Sequence, residues 1–225
     1  MTEDWVGPVC DDGTPLPVRD RRTQFEGHVW AIVSEDVDFG PAVVTRDLIL
    51  HPGAVAVIAL DEQDRVLLIR QYRHAVGEFL FEPPAGLLDV DGEPALDTAQ
   101  RELVEEAGYE ASTWHVLLDL FATPGGSTEA IRVFLARDLT PVEGGRPFTG
   151  EAEEAHLPRA WVPLDDARDL VQSGAIGSLT AVSGIQAAWI ERARGWSGLR
   201  PGDAPWPART HLQRHDRVRR MGVRS

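Results

Sequence analysis

Between residues 22 and 50, apolar and polar positions alternate in short stretches such as 28–33 and 42–45, separated by Asp-rich and Gly-Pro turns. This pattern predicts a small β-rich N-terminal unit over residues 1–50. His51-Pro52-Gly53 then punctuates the chain, and AVAVIAL, DEQD and VLLIRQYR follow in order as strand, turn and strand, which predicts a central hairpin. After Pro83-Pro84 the period changes: Ala95, Ala99, Leu103 and Ala107 recur every fourth residue, so a helix with a thin apolar stripe is expected over 95–107, with Gly108 just past its end.

Two further strands are predicted at 114–121 and 131–136, joined by the Gly-rich stretch 123–128, and a long Gly/Pro- and acid-containing loop covers 139–156. A strand near 160–162 precedes helices at about 164–173 and 179–194. The alternation of elements predicts an α+β fold, a mixed sheet flanked by helices, over residues 51–194. Residues 195–225 carry seven Arg and two Asp among several Gly and Pro, and read as a basic, solvated, flexible tail, with docking onto the acidic body or onto a nucleic acid as the other uses of such a segment.

Composition narrows the chemistry. The 225 residues hold 36 acids against 22 basic residues, a formal charge of −14 that disfavours nucleic acid as a partner and requires an anionic substrate to be held by local Arg or by a divalent cation. Every basic residue is Arg, so Schiff-base lysines and P-loop lysines are excluded. Cys10 is the single cysteine, which excludes an internal disulfide and a thiolate zinc cluster. The longest apolar run, residues 54–60, falls far short of the roughly 18 residues of a membrane span, and the start is acidic, so a cytoplasmic protein without membrane contact is expected.

The densest chemistry lies in Gln100-Arg101-Glu102-Leu103-Val104-Glu105-Glu106-Ala107-Gly108. On a helix, Glu102 lies three and four positions from Glu105 and Glu106, so the three carboxylates share nearly one face. A divalent cation would relieve their repulsion, and oxygen ligands without Cys or His favour Mg²⁺ or Mn²⁺; taken alone, the same pattern also fits a solvated Glu-rich face. The longer stretch GLLDVDGEPALDTAQRELVEEAGY resembles the Nudix box, G-x5-E-x7-REUxEExGU with U aliphatic. Two departures stand out: six residues rather than five separate Gly86 from Glu93, and Tyr109 holds the last aliphatic place. Neither disturbs the spacing from Glu93 to Gly108.

Beyond the box, HPGAVAVIAL, VLLIRQYRHAVG and FEPPAGLLD resemble the ADP-ribose pyrophosphatase branch of the Nudix family over most of residues 25–195, and Pro124 stands fifteen residues past Tyr109, as a proline tends to do in that branch. The resemblance implies a Nudix fold and hydrolysis of ADP-ribose to AMP and ribose 5-phosphate by a homodimer whose N-terminal strands are exchanged with, or packed against, the partner. It implies Mg²⁺, with Mn²⁺ as a substitute, held by Glu102, Glu106, often Glu105, and the carbonyl of Ala85. A catalytic base is expected from a downstream loop, where Glu151, Glu153 and Glu154 offer themselves, Glu153 first and Glu154 next; Glu105 belongs with the catalytic candidates as well.

For substrate contacts, Arg73 can grip phosphate oxygens or close a strand-end salt bridge, and Glu82 can accept from an adenine amine or ribose hydroxyl or serve structure. Arg46, by resemblance, reaches substrate across a dimer interface. Pro124 and Glu129 belong to a substrate-adjacent turn. Phe25 and Trp30 can stack on adenine, although core packing is the commoner use of such rings. His51 reads as structural. The alternatives are a pyrophosphatase for another nucleoside diphosphate derivative, and a sensor that binds ADP-ribose without cleaving it.

Overall fold

A computed structural model describes residues 4–147 and 157–212. The first three strands, β1 (Val18–Glu26), β2 (Ala31–Asp38) and β3 (Val43–Leu50), form an antiparallel sheet in the order β1-β2-β3. Strand β1 is exposed along its whole length. A five-stranded sheet forms the centre, in the order β11 (Arg200–Pro201), β8 (Tyr109–Phe121), β9 (Ala130–Pro141), β4 (Ala54–Ala59), β7 (Ala85–Leu87). Its β4–β9 pair is parallel and its other pairs antiparallel, so the sheet is mixed. A third sheet has the order β10 (Arg159–Pro163), β5 (Arg65–Arg73), β6 (Glu78–Glu82).

The side-chain period of two in β4 feeds both faces of the central sheet. Val55, Val57 and Ala59 join Phe134, Ala136 and the stripe Ala95, Ala99, Leu103 and Ala107 on one face. Ala56 and Ile58 join Val133, Leu135, Leu164, Ala167, Ile185 and Ala188 on the other. Helix α1 (Ala95–Glu102) therefore covers one face, and α2 (Leu164–Gln172) with α3 (Leu179–Ala193) covers the opposite one. A strand buried on both sides reads as one continuous apolar run, which is what AVAVIAL is.

Three expectations need correction. The predicted hairpin between 54–60 and 66–73 does not form: its two strands lie in different sheets, linked by one bridge between Leu60 and Val66. The edge of β4 that β5 would need is taken by β7, which pairs Ala54–Ala56 with Leu87–Ala85, and by the Val57 amide donating to the Pro84 carbonyl. The predicted helix over 95–107 is α-helical only to Glu102 and continues as a π-helical turn, Leu103–Ala107, ending on Gly108 with φ 71°. All four stripe residues are nevertheless buried.

The third correction concerns the tail. Instead of leaving the body at residue 195, the chain docks back on it: β11 pairs with His115 and Val116 of β8, Trp206 is buried, and a short helix α4 (Pro207–Leu212) follows. The reason lies in β9, where Arg132 falls between Ala130 and Phe134 in a buried row and is only 3% exposed. Burying a guanidinium is costly unless its donors are satisfied. Asp119 and the carbonyls of Ala204 and Pro205 satisfy them, so the returning chain completes the core. Residues 213–225, with the remaining tail arginines, lie outside the described residues.

Candidate functional site

Two backbone features bring the box together. Strand β7 sets Ala85 and Gly86 beside α1, and Gly86 has no room for a side chain: a Cβ there would lie 2.1 Å from Glu102 Oε1. The Ala85 amide donates to Glu106 Oε2 at 2.7 Å. Two buried carboxylates thus rest on consecutive residues of one strand, Glu102 packed over Gly86 and Glu106 bonded to Ala85. Beyond the π turn, the left-handed Gly108 redirects the chain into β8, a conformation glycine adopts without the usual Cβ clash.

Arg101 is the hub of the cluster. Its Nη1 donates to Glu102 Oε1 and to Glu105 Oε2, each at 2.8 Å, while Nε and Nη2 reach the two oxygens of Glu93 at 3.2 and 3.3 Å. The Thr98 hydroxyl adds a bond of 2.7 Å to Glu93 Oε2. Burial pushes the Glu93 carboxyl up, but the bonds from Arg101 and Thr98 outweigh it, and the group sits below the ordinary glutamate range. Partial burial works against the charge on Arg101, yet its acidic partners hold its pKa above the usual value.

A hard cation fits this donor set. Among the described residues, no three His, Cys, Asp or Glu side chains already enclose a metal-sized space. The Arg101 guanidinium bridges Glu93, Glu102 and Glu105, and Glu106 is buried with its carboxylate on the Ala85 amide. A set of donors that are all carboxylate or main-chain oxygens suits Mg²⁺ or Mn²⁺. Glu102, Glu105 and Glu106 could hold such an ion together with the main chain at Ala85.

The other expected residues fall into separate groups. Arg73 and Glu82 meet, with Nε to Oε2 at 2.7 Å, and the Ser178 hydroxyl donates to Glu82 Oε1 at 2.8 Å, so Glu82 joins the ends of β5 and β6 to the start of α3. Glu129 lies 3.8 Å from His51 Nε2, and His51 Nδ1 accepts the Gly53 amide. Burial lowers the His51 pKa, against an upward pull from Glu129, which favours the neutral ring. Arg46 sits on β3 with its guanidinium 5.7 Å from the Phe39 ring.

Pro124 lines a cavity of about 940 Å³ walled by residues 124–128, Phe121, the N-terminal segment around Asp12, and Arg21, Glu35 and Leu48 of the first sheet. The Ile49 amide donates to Gly126 and the Thr128 amide to Ile49, which ties that turn to β3. None of the box carboxylates lines this cavity. Phe25 and Trp30 are not core residues: they pack on each other, centroids 6.3 Å apart, and remain exposed. Glu151, Glu153 and Glu154 lie outside the described residues.

Sequence reasoning missed the contribution of the C-terminal segment, where the Arg209 guanidinium donates to the Glu93 carbonyl at 2.7 Å. A local signal existed for its anchor, since Arg132 is a lone charge in the apolar run AIRVFLA. Nothing in the sequence distinguished Arg209 from the other arginines of the tail.

Residues 50–180 match the NUDIX domain family. The chain is 42% identical over 185 residues to the ADP-ribose pyrophosphatase of Mycobacterium tuberculosis, an alignment that covers 82% of this chain and 87% of the relative. It is 32% identical over 170 residues to the ADP-ribose pyrophosphatase of Bacillus subtilis, covering 75% and 90%. A solved ADP compounds hydrolase shares the fold, with a TM-score of 0.68 at 23% identity over 84% of this chain and 99% of that one.

Proposed function

The chain belongs to the Nudix family, and from that premise we propose that it hydrolyses the diphosphate bond of ADP-ribose to AMP and ribose 5-phosphate, as an Mg²⁺-dependent homodimer in the cytoplasm. The observation that carries this reading is the complete carboxylate cluster, Glu93, Glu102, Glu105 and Glu106, organised around Arg101 and seated on Ala85-Gly86. Identity to two ADP-ribose pyrophosphatases over most of the chain supports the substrate.

In this reading Glu102, Glu105, Glu106 and the Ala85 carbonyl hold Mg²⁺, or Mn²⁺ in its place. The ion supplies neutralisation of the diphosphate and a lowered pKa for the attacking water. The Ala85 amide fixes the Glu106 carboxylate, and Arg101 fixes Glu102 and Glu105, so both interactions pre-orient the donors. Arg73 is the phosphate-gripping group and Glu82 its positioning partner at 2.7 Å, with Glu82 also available to a ribose hydroxyl or adenine amine. Glu153 accepts the proton of water, with Glu154 and Glu151 as the next choices, and Pro124 and Glu129 shape the turn beside the substrate.

The homodimer draws support from β1, exposed throughout, and from Phe25, Trp30, Phe39 and Val43, all exposed on or beside the first sheet. Arg46 of that sheet would then reach a partner's substrate. No described helix is long and apolar enough to cross a membrane.

The test is to incubate purified protein with ADP-ribose, GDP-mannose and other nucleoside diphosphate derivatives, with Mg²⁺ or EDTA, beside Glu106→Gln and Glu153→Gln. Mg²⁺-dependent AMP release that prefers ADP-ribose and is lost in Glu106→Gln is expected. Preference for another derivative would overturn the substrate, and retention of ADP-ribose without cleavage would overturn the enzyme reading.

A further inference from the structure

The returning segment, residues 199–209, begins as the edge strand β11 beside β8, crosses onto the α1 face of the central sheet at Ala204, Trp206 and Ala208, and makes specific polar bonds at each end. At its start, Arg200 Nη1 donates to Asp119 Oδ2 at 2.7 Å. Asp119 also receives Arg132 Nε at 2.8 Å and Nη2 at 3.1 Å, so one carboxylate joins strand β8, strand β9 and the returning chain. In the middle, Arg132 donates to the carbonyls of Ala204 and Pro205 at 2.6 and 3.0 Å, and its guanidinium lies 4.9 Å from the centroid of the Trp206 ring. Trp206 packs in the same apolar cluster as Ala95, Ala99 and Leu103 of the box helix. The segment is thus fastened to β8 and β9 and pressed on the helix that carries the carboxylates.

At the far end, Arg209 Nη2 donates to the main-chain carbonyl of Glu93 at 2.7 Å. Glu93 is the residue whose carboxylate takes both Nε and Nη2 of Arg101, and Arg101 in turn holds Glu102 and Glu105. The loop in front of α1 is otherwise held by its own neighbours, the Leu88 amide donating to the Gly53 carbonyl, the Glu93 amide to the Val90 carbonyl and the Thr98 hydroxyl to the Glu93 carboxylate, while Pro94 caps the helix without a side-chain bond and the box loop holds one residue more than the family pattern. An unbroken path of bonds therefore runs from the buried Arg132, through the returning chain and Arg209, to Glu93, Arg101 and the ligand carboxylates.

We propose that Arg209 is a positioning residue for the metal-binding carboxylates, acting through the Glu93 main chain and Arg101, with residues 199–209 as the strap that delivers it. The proposal rests on the reading of Glu102, Glu105 and Glu106 as metal ligands. Arg209 touches no carboxylate of that trio, and its effect is to hold the loop whose Glu93 orients Arg101.

The experiment uses the full chain as wild type, Arg209→Ala and Arg209→Lys, and titrates Mn²⁺ by the loss of its free electron paramagnetic resonance signal without substrate. Melting temperature and ADP-ribose turnover against Mg²⁺ concentration are recorded in parallel. Direct partners of metal ligands, here Arg101, contribute about 10–100-fold in affinity, and Arg209 stands two steps further out through Glu93, so Mn²⁺ binding about 3–10-fold weaker is expected in Arg209→Ala. The Mg²⁺ concentration for half-maximal turnover should rise by a similar factor, kcat at saturating Mg²⁺ should change little, and Arg209→Lys should recover part of the loss.

A folded Arg209→Ala with wild-type Mn²⁺ affinity would overturn the proposal. If that variant does not fold, Arg209→Met keeps the packed stem and removes the donor; failure of both to fold would make the strap purely structural and overturn the proposal too. Wild type that binds Mn²⁺ without cleaving ADP-ribose would defeat the proposed function and leave the Arg209 comparison decisive. Wild type that binds no Mn²⁺ would defeat both.

Discussion

Replacing Arg132 with methionine probes the element that organises the back of the site. The aliphatic stem keeps its place between Ala130 and Phe134, but four donor contacts vanish: two to Asp119 and one each to Ala204 and Pro205. Removing one partner of a buried charge pair costs about 3–5 kcal/mol, because the other partner is left desolvated. Here Asp119 keeps Arg200 and its side chain is 22% exposed, so the lower end, about 3 kcal/mol, applies. In a chain of this size that corresponds to a fall of about 6–12 °C in melting temperature. Differential scanning fluorimetry reads it, with Arg200→Ala as control. That pair is more open to solvent, with the Arg200 side chain 43% exposed, and its loss should cost under about 1 kcal/mol. Limited proteolysis should also open new cleavage within residues 199–209 of the methionine variant. A melting temperature within about 2 °C of wild type, with that segment still protected, would refute the reasoning that the buried guanidinium holds the returning chain.

Two shorter predictions follow from the same geometry. Gly86→Ala places a methyl group 2.1 Å from Glu102 Oε1, so either β7 or the carboxylate must shift; ADP-ribose turnover should fall by about 100-fold with the fold retained by circular dichroism. His51 is held below its ordinary pKa by burial, against the pull of Glu129, so both folded and unfolded chains carry a neutral ring above about pH 6.5. As pH falls below that value the unfolded chain takes up a proton that the folded chain resists, so stability declines until the folded pKa is passed. Denaturant midpoints between pH 8 and 5 should show this slope, and His51→Gln should reduce it.

The parts of the site visible in the sequence are those fixed by local spacing. Glu102, Glu105 and Glu106 are neighbours because a helical turn makes them so, and Gly108 marks the end because a left-handed residue is needed there. What depends on distant partners was not visible. The segment from Pro84 to Leu87 occupies the edge of β4 and turns an apparent hairpin into strands of two sheets. Arg73 faces Glu78 in the ladder, yet its guanidinium bonds Glu82, a choice made by side-chain reach rather than by register. Arg132 announces a buried charge, but the carbonyls that satisfy it come from a Gly/Pro- and Arg-rich stretch more than seventy positions later, whose composition alone suggests solvent.

The absence of lysine gives the cluster a final test, because the box depends on the shape of a guanidinium and not only on its charge. Arg101 uses Nε and Nη2 on Glu93 and Nη1 on both Glu102 and Glu105, so three carboxylates are held at once by a planar fork. In Arg101→Lys the charge persists, but a single ammonium on a flexible stem cannot span the same three groups. If charge alone mattered, the variant would bind metal normally. If orientation matters, Glu102 and Glu105 lose their fixed directions and affinity should fall by about 10–100-fold, as for other direct partners of metal ligands. Mn²⁺ titration without substrate separates the two cases, and a melting temperature close to wild type shows that the helix itself survives. Wild-type affinity in a folded Arg101→Lys would refute the claim that the fork, rather than its charge, prepares the carboxylates.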